Sequence, residues 1–88
     1  KVAHHGSKFS TSPSFLQEVL PHEAVISVGP NPHDHPTIET LSRLANFGAN
    51  IWRTDYVGTV LLTSNGESYE MLPNLIFLPF SIHTFFSP

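Results

Sequence analysis

Apolar positions along the chain switch between two spacings. Phe15, Leu16, Val19 and Leu20 recur at helical intervals, behind Ser12 as an N-cap and Pro13 at the first helical position. Pro21 stops that helix. Residues 24–29, Ala-Val-Ile-Ser-Val-Gly, are a compact β-branched run of the kind found in buried strands. Pro36 opens a second helix, with Ile38, Leu41, Leu44 and Ala45 on one face and Gly48 as its stop. Residues 50–54 read as a strand, and residues 59–63 and 68–72 as two more. Asn65-Gly66 between the last two predicts a hairpin with a type I′ turn. Residues 1–4 read as a strand remnant entering the loop His4-His5-Gly6-Ser7. The order is strand, helix, strand, helix, strand, hairpin. Such alternation predicts an α/β layer of parallel strands with right-handed crossovers.

Length changes this picture first. With 88 residues the chain is one small domain or a piece of a larger one. Chemistry begins at once, at His4, and a domain seldom opens on its reactive loop. An N-terminal partner segment of the same domain is therefore expected outside this chain. Residues 73–88 have a different texture, apolar and aromatic with Pro73, Pro79 and Pro88. This tail either packs on a neighbour or is an altered terminus, and it has no assigned role. No run reaches the roughly 18–20 apolar residues of a membrane span.

Charge and residue types narrow the chemistry. The net charge is −3 with four Lys and Arg residues, so no basic patch marks a nucleic-acid surface. A polyanionic substrate would need a metal, or residues elsewhere, for its grip. Cysteine is absent, which leaves the compartment open and restricts any transition-metal site to His, Asp and Glu. Six histidines are many for this length, and His4, His5, His33 and His35 fall in two clusters.

In parallel βαβ units, functional groups gather at the carboxyl ends of the strands. His4-His5, His33-Asp34-His35 and Thr54-Asp55 all follow predicted strands, so topology would bring them to one sheet edge. Neutral imidazole is the commonest metal ligand and suits zinc, iron and manganese. Each cluster by itself reads as solvated surface, and at this point both readings stay open. Asp55 either orients a histidine or caps the turn after Thr54. Ser7 lacks the strand–elbow–helix setting of a serine nucleophile. His22 is expected on the surface, His83 gets no role, and Trp52 is expected to pack within its strand rather than stack on a base.

Lys1-Val2-Ala3-His4-His5-Gly6-Ser7 resembles the L-K-V-x-H-H-G-S motif of ComEC-type DNA internalisation competence proteins, where it lies in a metallo-β-lactamase-like domain. Asn31-Pro32-His33-Asp34-His35-Pro36 is similar to that family's N-P-Y-G-H-P loop. Arg53-Thr54-Asp55, Gly58-Thr59-Val60 and Thr63-Ser64-Asn65-Gly66 follow its R-T-D, G-x-V and T-S-D-G segments in order. The resemblance covers residues 1–72 and implies the second half of a metallo-β-lactamase αββα sandwich.

Several expectations follow from the resemblance alone. The intact protein would be a metal-dependent hydrolase, cleaving a DNA phosphodiester in the course of DNA uptake. Zinc, or manganese, would be held by His5, His4 and His35, with His35 or His4 as the proton-transferring residue. The family's H-x-H-x-D-H motif is not in this sequence, so metal binding by this chain would be incomplete and the chain alone inactive. Its partners would be the N-terminal half of the same domain and the DNA, within a bacterial membrane-associated parent. A different class remains open, a catalytically inactive interaction module, either truncated or assembled with a partner chain. His33, Asp34 and Thr37 depart from the family pattern, and the tail matches none of its motifs.

Overall fold

The computed structural model describes residues 1–73 and 82–86. Its first element is a 3-10 turn, Ala3–Gly6, followed by helix α1 (Pro13–Val19) and strand β1 (Glu23–Ile26). Helix α2 (Ile38–Asn46) and strand β2 (Asn50–Arg53) complete a β-α-β unit in which β1 and β2 pair in parallel, Glu23 opposite Asn50 and Ile26 opposite Arg53. A one-turn helix α3 (Thr54–Val57) then leads into β3 (Val60–Ser64) and β4 (Tyr69–Pro73). Strand β3 is central in a second, antiparallel sheet, between β4 and β5 (Ile82–Phe86).

The helix starts follow their capping chemistry. Ser12 Oγ accepts from the Phe15 amide at 3.1 Å, with Pro13 at the first helical position. Helix α2 starts two residues after Pro36, because Thr37 Oγ1 accepts from the Thr40 amide and makes Thr37 the cap. Gly48, at φ +81°, follows the end of α2.

The core joins both helices to the parallel pair. Leu16 from α1, Leu44 from α2, and Ala24 and Ile26 from β1 are buried together with Val2 and Val28. Each large member contributes roughly 1.5–3 kcal/mol by leaving water. Val25, on the opposite face of β1, is buried too, so this strand is covered on both sides as a parallel strand requires. Most predicted helix faces narrow on inspection. Phe15, Val19, Leu20 and Ile38 are exposed, and so is Ala45, leaving Leu16 and Leu44 with half-buried Leu41 to seal the layer. Trp52 is half-buried and donates from Nε1 to Glu23 Oε2 at 2.7 Å, which satisfies the indole inside the sheet.

Three local expectations are corrected. Residues 1–4 form no strand: the Val2 amide donates to the Val25 carbonyl at 2.8 Å, but the backbone then turns into the left-handed region at His4 and no ladder continues. Strand β1 ends at Ile26 rather than Gly29, because the amide and carbonyl of Val28 bond the Thr54 side chain instead of a neighbouring strand. The hairpin closes through residues 65–68 and not through a two-residue I′ turn. There Gly66 is at φ +91°, Asn65 is not at positive φ, and Asn65 Oδ1 accepts from the amides of Glu67 and Ser68, an Asx-type closure. Of the tail, residues 82–86 add an antiparallel strand beside β3, while residues 74–81 and 87–88 lie outside the described residues.

Candidate active-site edge

The carboxyl ends of β1 and β2 carry the candidate chemistry, and two loops meet there. The first loop holds His4, His5 and Gly6 at φ +49°, +54° and +84°. Two successive non-glycine residues in this region cost about 1–3 kcal/mol each, so the surrounding contacts must hold them. They do so through the second loop. Gly6 lies so close to Pro36 that an added Cβ would stand 2.4 Å from the proline Cβ. The Gly6 carbonyl accepts from the Thr37 amide at 3.0 Å, and the Ser7 carbonyl accepts from Thr40 Oγ1 at 3.0 Å. Arg43, further along α2, donates to the carbonyls of Lys8 and Thr11 at 2.7 and 3.1 Å. One helix thus anchors the whole 6–11 segment.

His5 is the best-defined imidazole. Its Nδ1 lies 2.6 Å from the Ser27 carbonyl oxygen, which can only accept, so Nδ1 carries the proton. In the neutral ring that leaves Nε2 with its lone pair on an exposed side chain. His4 turns elsewhere and pairs through Nδ1 with the Ser10 hydroxyl.

The second loop is organised by Asn31. Its Oδ1 accepts from the amides of His33 and His35, both at 3.0 Å, while Nδ2 donates to the carbonyls of Gly29 and His35. This fourfold pattern closes the loop on itself and sets the rings of His33 and His35 with centroids 5.6 Å apart. His35 is half-buried and, with Asn31, Asp34, Thr54 and Asp55, lines an open cleft of about 480 Å³. His35 and Asp55 therefore share a cleft as the topology predicted, whereas His4 and His5 are not in its lining. Among the described residues no group of three or more His, Asp or Glu side chains could hold a metal ion together.

Asp55 neither orients a histidine nor simply caps a turn. Its carboxylate takes both Nε and Nη2 of Arg53, at 3.0 and 2.7 Å. The Arg53 hydrogen bond holds the Asp55 carboxyl below the usual carboxylate range, and the backbone amides of Asp55 and Tyr56 help in the same direction. Because the folded value is the depressed one, the pair stabilises fully above the ordinary value of about 3.9 and is lost as pH falls through the lower folded value. The pair is partly exposed, so the effect is small, at most about 1 kcal/mol. The stabilities of the chain and of Asp55→Asn, read from denaturation at a series of pH values, should differ above about pH 4 and draw together only as pH falls below the ordinary carboxylate value.

With this geometry in view, two relatives are informative. Over 61 residues, 68% of the chain, it is 43% identical to ComE operon protein 3 of Bacillus subtilis (strain 168). Over 60 residues, 67% of the chain, it is 40% identical to Competence protein ComA of Neisseria gonorrhoeae. The chain is related to competence proteins. It spans 8% of the length of the first relative and 9% of the second. No family model and no solved structure matches. The competence relationship agrees with the resemblance drawn from the motifs.

Sequence reasoning passed over the residues that build this edge. Thr40 and Arg43 tie the first loop to α2, Asn31 closes the second loop on itself and the Thr54 hydroxyl holds Val28, and none of these positioning roles was expected. Only Asn31 left a readable signal, an Asx side chain opening a proline-bounded loop. Among the described residues no helix is long and apolar enough to cross a membrane.

Proposed function

We propose that this chain supplies one part of a metal-dependent hydrolase centre in a competence-type protein, on a metallo-β-lactamase αββα scaffold. The substrate in this reading is a DNA phosphodiester and the setting is DNA uptake. The observation that carries it is the His5 ring, protonated at Nδ1 by its bond to the Ser27 carbonyl and presenting Nε2 outward. Metal-ligating histidines are oriented in this way, by donating the other ring N–H to a backbone carbonyl. The relationship to two competence proteins supports the setting.

The chain carries part of a metal donor set. His5 fits one ligand position, but no described trio completes a site, so further ligands would have to come from the N-terminal half of the same domain. Zinc, or manganese, is the ion this imidazole chemistry suits, and when bound it would supply an activated water. His35, held in its cleft by Asn31, is assigned proton transfer to the leaving oxygen, with His4 as the alternative. The chain alone is expected to show no turnover.

The test is made in the organism that encodes the protein. His5→Ala should lower transformation by added DNA at least about 10-fold and reduce the metal content of the purified gene product. His22→Ala, at an exposed position outside both clusters, should change neither. Unchanged transformation and unchanged metal in His5→Ala would overturn the assignment. A second reading is a catalytically silent interaction module. A metal-free native protein whose His5→Ala variant behaves as wild type would establish it.

A further inference from the structure

Resting on the reading of the substrate as DNA, we infer that Tyr56, next in the chain to the cleft residue Asp55, is a stacking platform for an unpaired nucleobase. Tyr56 is 75% exposed, which leaves most of its ring open to a ligand. One neighbour holds its ring. The Arg53 guanidinium carbon lies 3.7 Å from the Tyr56 ring centroid, and Arg53 is itself fixed by its two bonds to Asp55. The cation lies over the ring, and Asp55 is part of the cleft lining. A base stacking on Tyr56 would extend a column that begins at the Arg53–Asp55 fork, so little side-chain freedom remains to be lost.

Charge gives a strand little further grip. Of the four Lys and Arg residues, Arg43 is committed to backbone carbonyls and Arg53 to Asp55, and the net charge is −3. Lys1 and Lys8, the latter over the Phe9 ring, are the cations that remain for a phosphate backbone. The faces of the bases remain, and stacking on aromatic rings is tolerant of sequence. A duplex hides those faces, so the platform selects single strands.

The experiment titrates the full 88-residue chain into a fluorescein-labelled single-stranded oligonucleotide at low salt, in EDTA, with anisotropy as the readout. Tyr56→Ala should weaken binding by about 5- to 100-fold, and Tyr56→Phe, which keeps the ring, by less than about 2-fold. An abasic strand of the same length should bind weakly and equally to the chain and to Tyr56→Ala, and a duplex should bind no better than the abasic strand. No measurable oligonucleotide binding, an unchanged Tyr56→Ala, or an equal loss on the abasic strand would each overturn the platform. Far-UV circular dichroism verifies that the variants fold. Because EDTA removes metal and no turnover is read, failure here leaves the His5 result untouched. A failed His5 test likewise leaves this binding measurement standing.

Discussion

Gly6→Ala is expected to abolish the native fold or leave it only marginally populated. The new Cβ would stand 2.4 Å from Pro36 Cβ and 2.8 Å from Pro36 Cα, and the second of these is backbone that cannot swing aside. The position is also at φ +84°, where an alanine is strained even with space around it. Overpacking and strain together cost more than about 3 kcal/mol, a large share of the stability of a domain this small. Relief would require the His4–His5 loop to lift from the Pro36 loop, breaking the Thr37 amide bond to Gly6. Urea denaturation should give a midpoint near zero, or a broad transition without cooperativity. A cooperative transition within about 0.5 kcal/mol of wild type would show that the loops are not in contact.

Thr54→Val is the second large effect, and it acts at the other strand end. Thr54 is 2% exposed, and its hydroxyl both accepts from the Val28 amide at 2.8 Å and donates to the Val28 carbonyl at 3.0 Å. Valine keeps the volume but leaves a buried donor and a buried acceptor without partners, at about 1–3 kcal/mol each. Thr54→Ser retains the hydroxyl and loses only a methyl group, about 1 kcal/mol. The ordering of the two denaturation midpoints is the check, with valine well below serine. Equal midpoints would mean that the hydroxyl bonds contribute nothing. The same change should loosen the cleft, because Thr54 lines it beside His35.

Both substitutions lie where distant segments meet, and that decides what could be read in advance. Ser12 with Pro13 specified the start of α1, since a cap is a bond between residues three apart. The parallel pair followed from a β-branched run and a second strand separated by a helix, which local pattern captures well. The Asn65-Gly66 signal located the hairpin but misjudged its turn, because Asn65 Oδ1 offered the amides of Glu67 and Ser68 an alternative closure. Ile38 and Ala45 had the right spacing for the helix face and are nonetheless exposed, since the narrow β1–β2 layer has room only for the Leu41–Leu44 side.

The candidate site divides along the same line. By itself the sequence determined which chemistry was available: imidazoles in two clusters, no thiolate, and motifs shared with competence proteins. It also placed the His33–His35 cluster after a strand, because periodicity and proline stops are local properties, whereas the strand expected ahead of His4–His5 did not form. Tertiary structure alone decided that His5 carries its proton at Nδ1, donated to the Ser27 carbonyl 22 residues away, and that His4 turns to Ser10. It alone set the Arg53 guanidinium over Tyr56 beside the cleft. The physical reason is range: hydrogen bonds and close packing act over a few ångströms of space, and only the folded chain brings residues far apart in sequence within that reach.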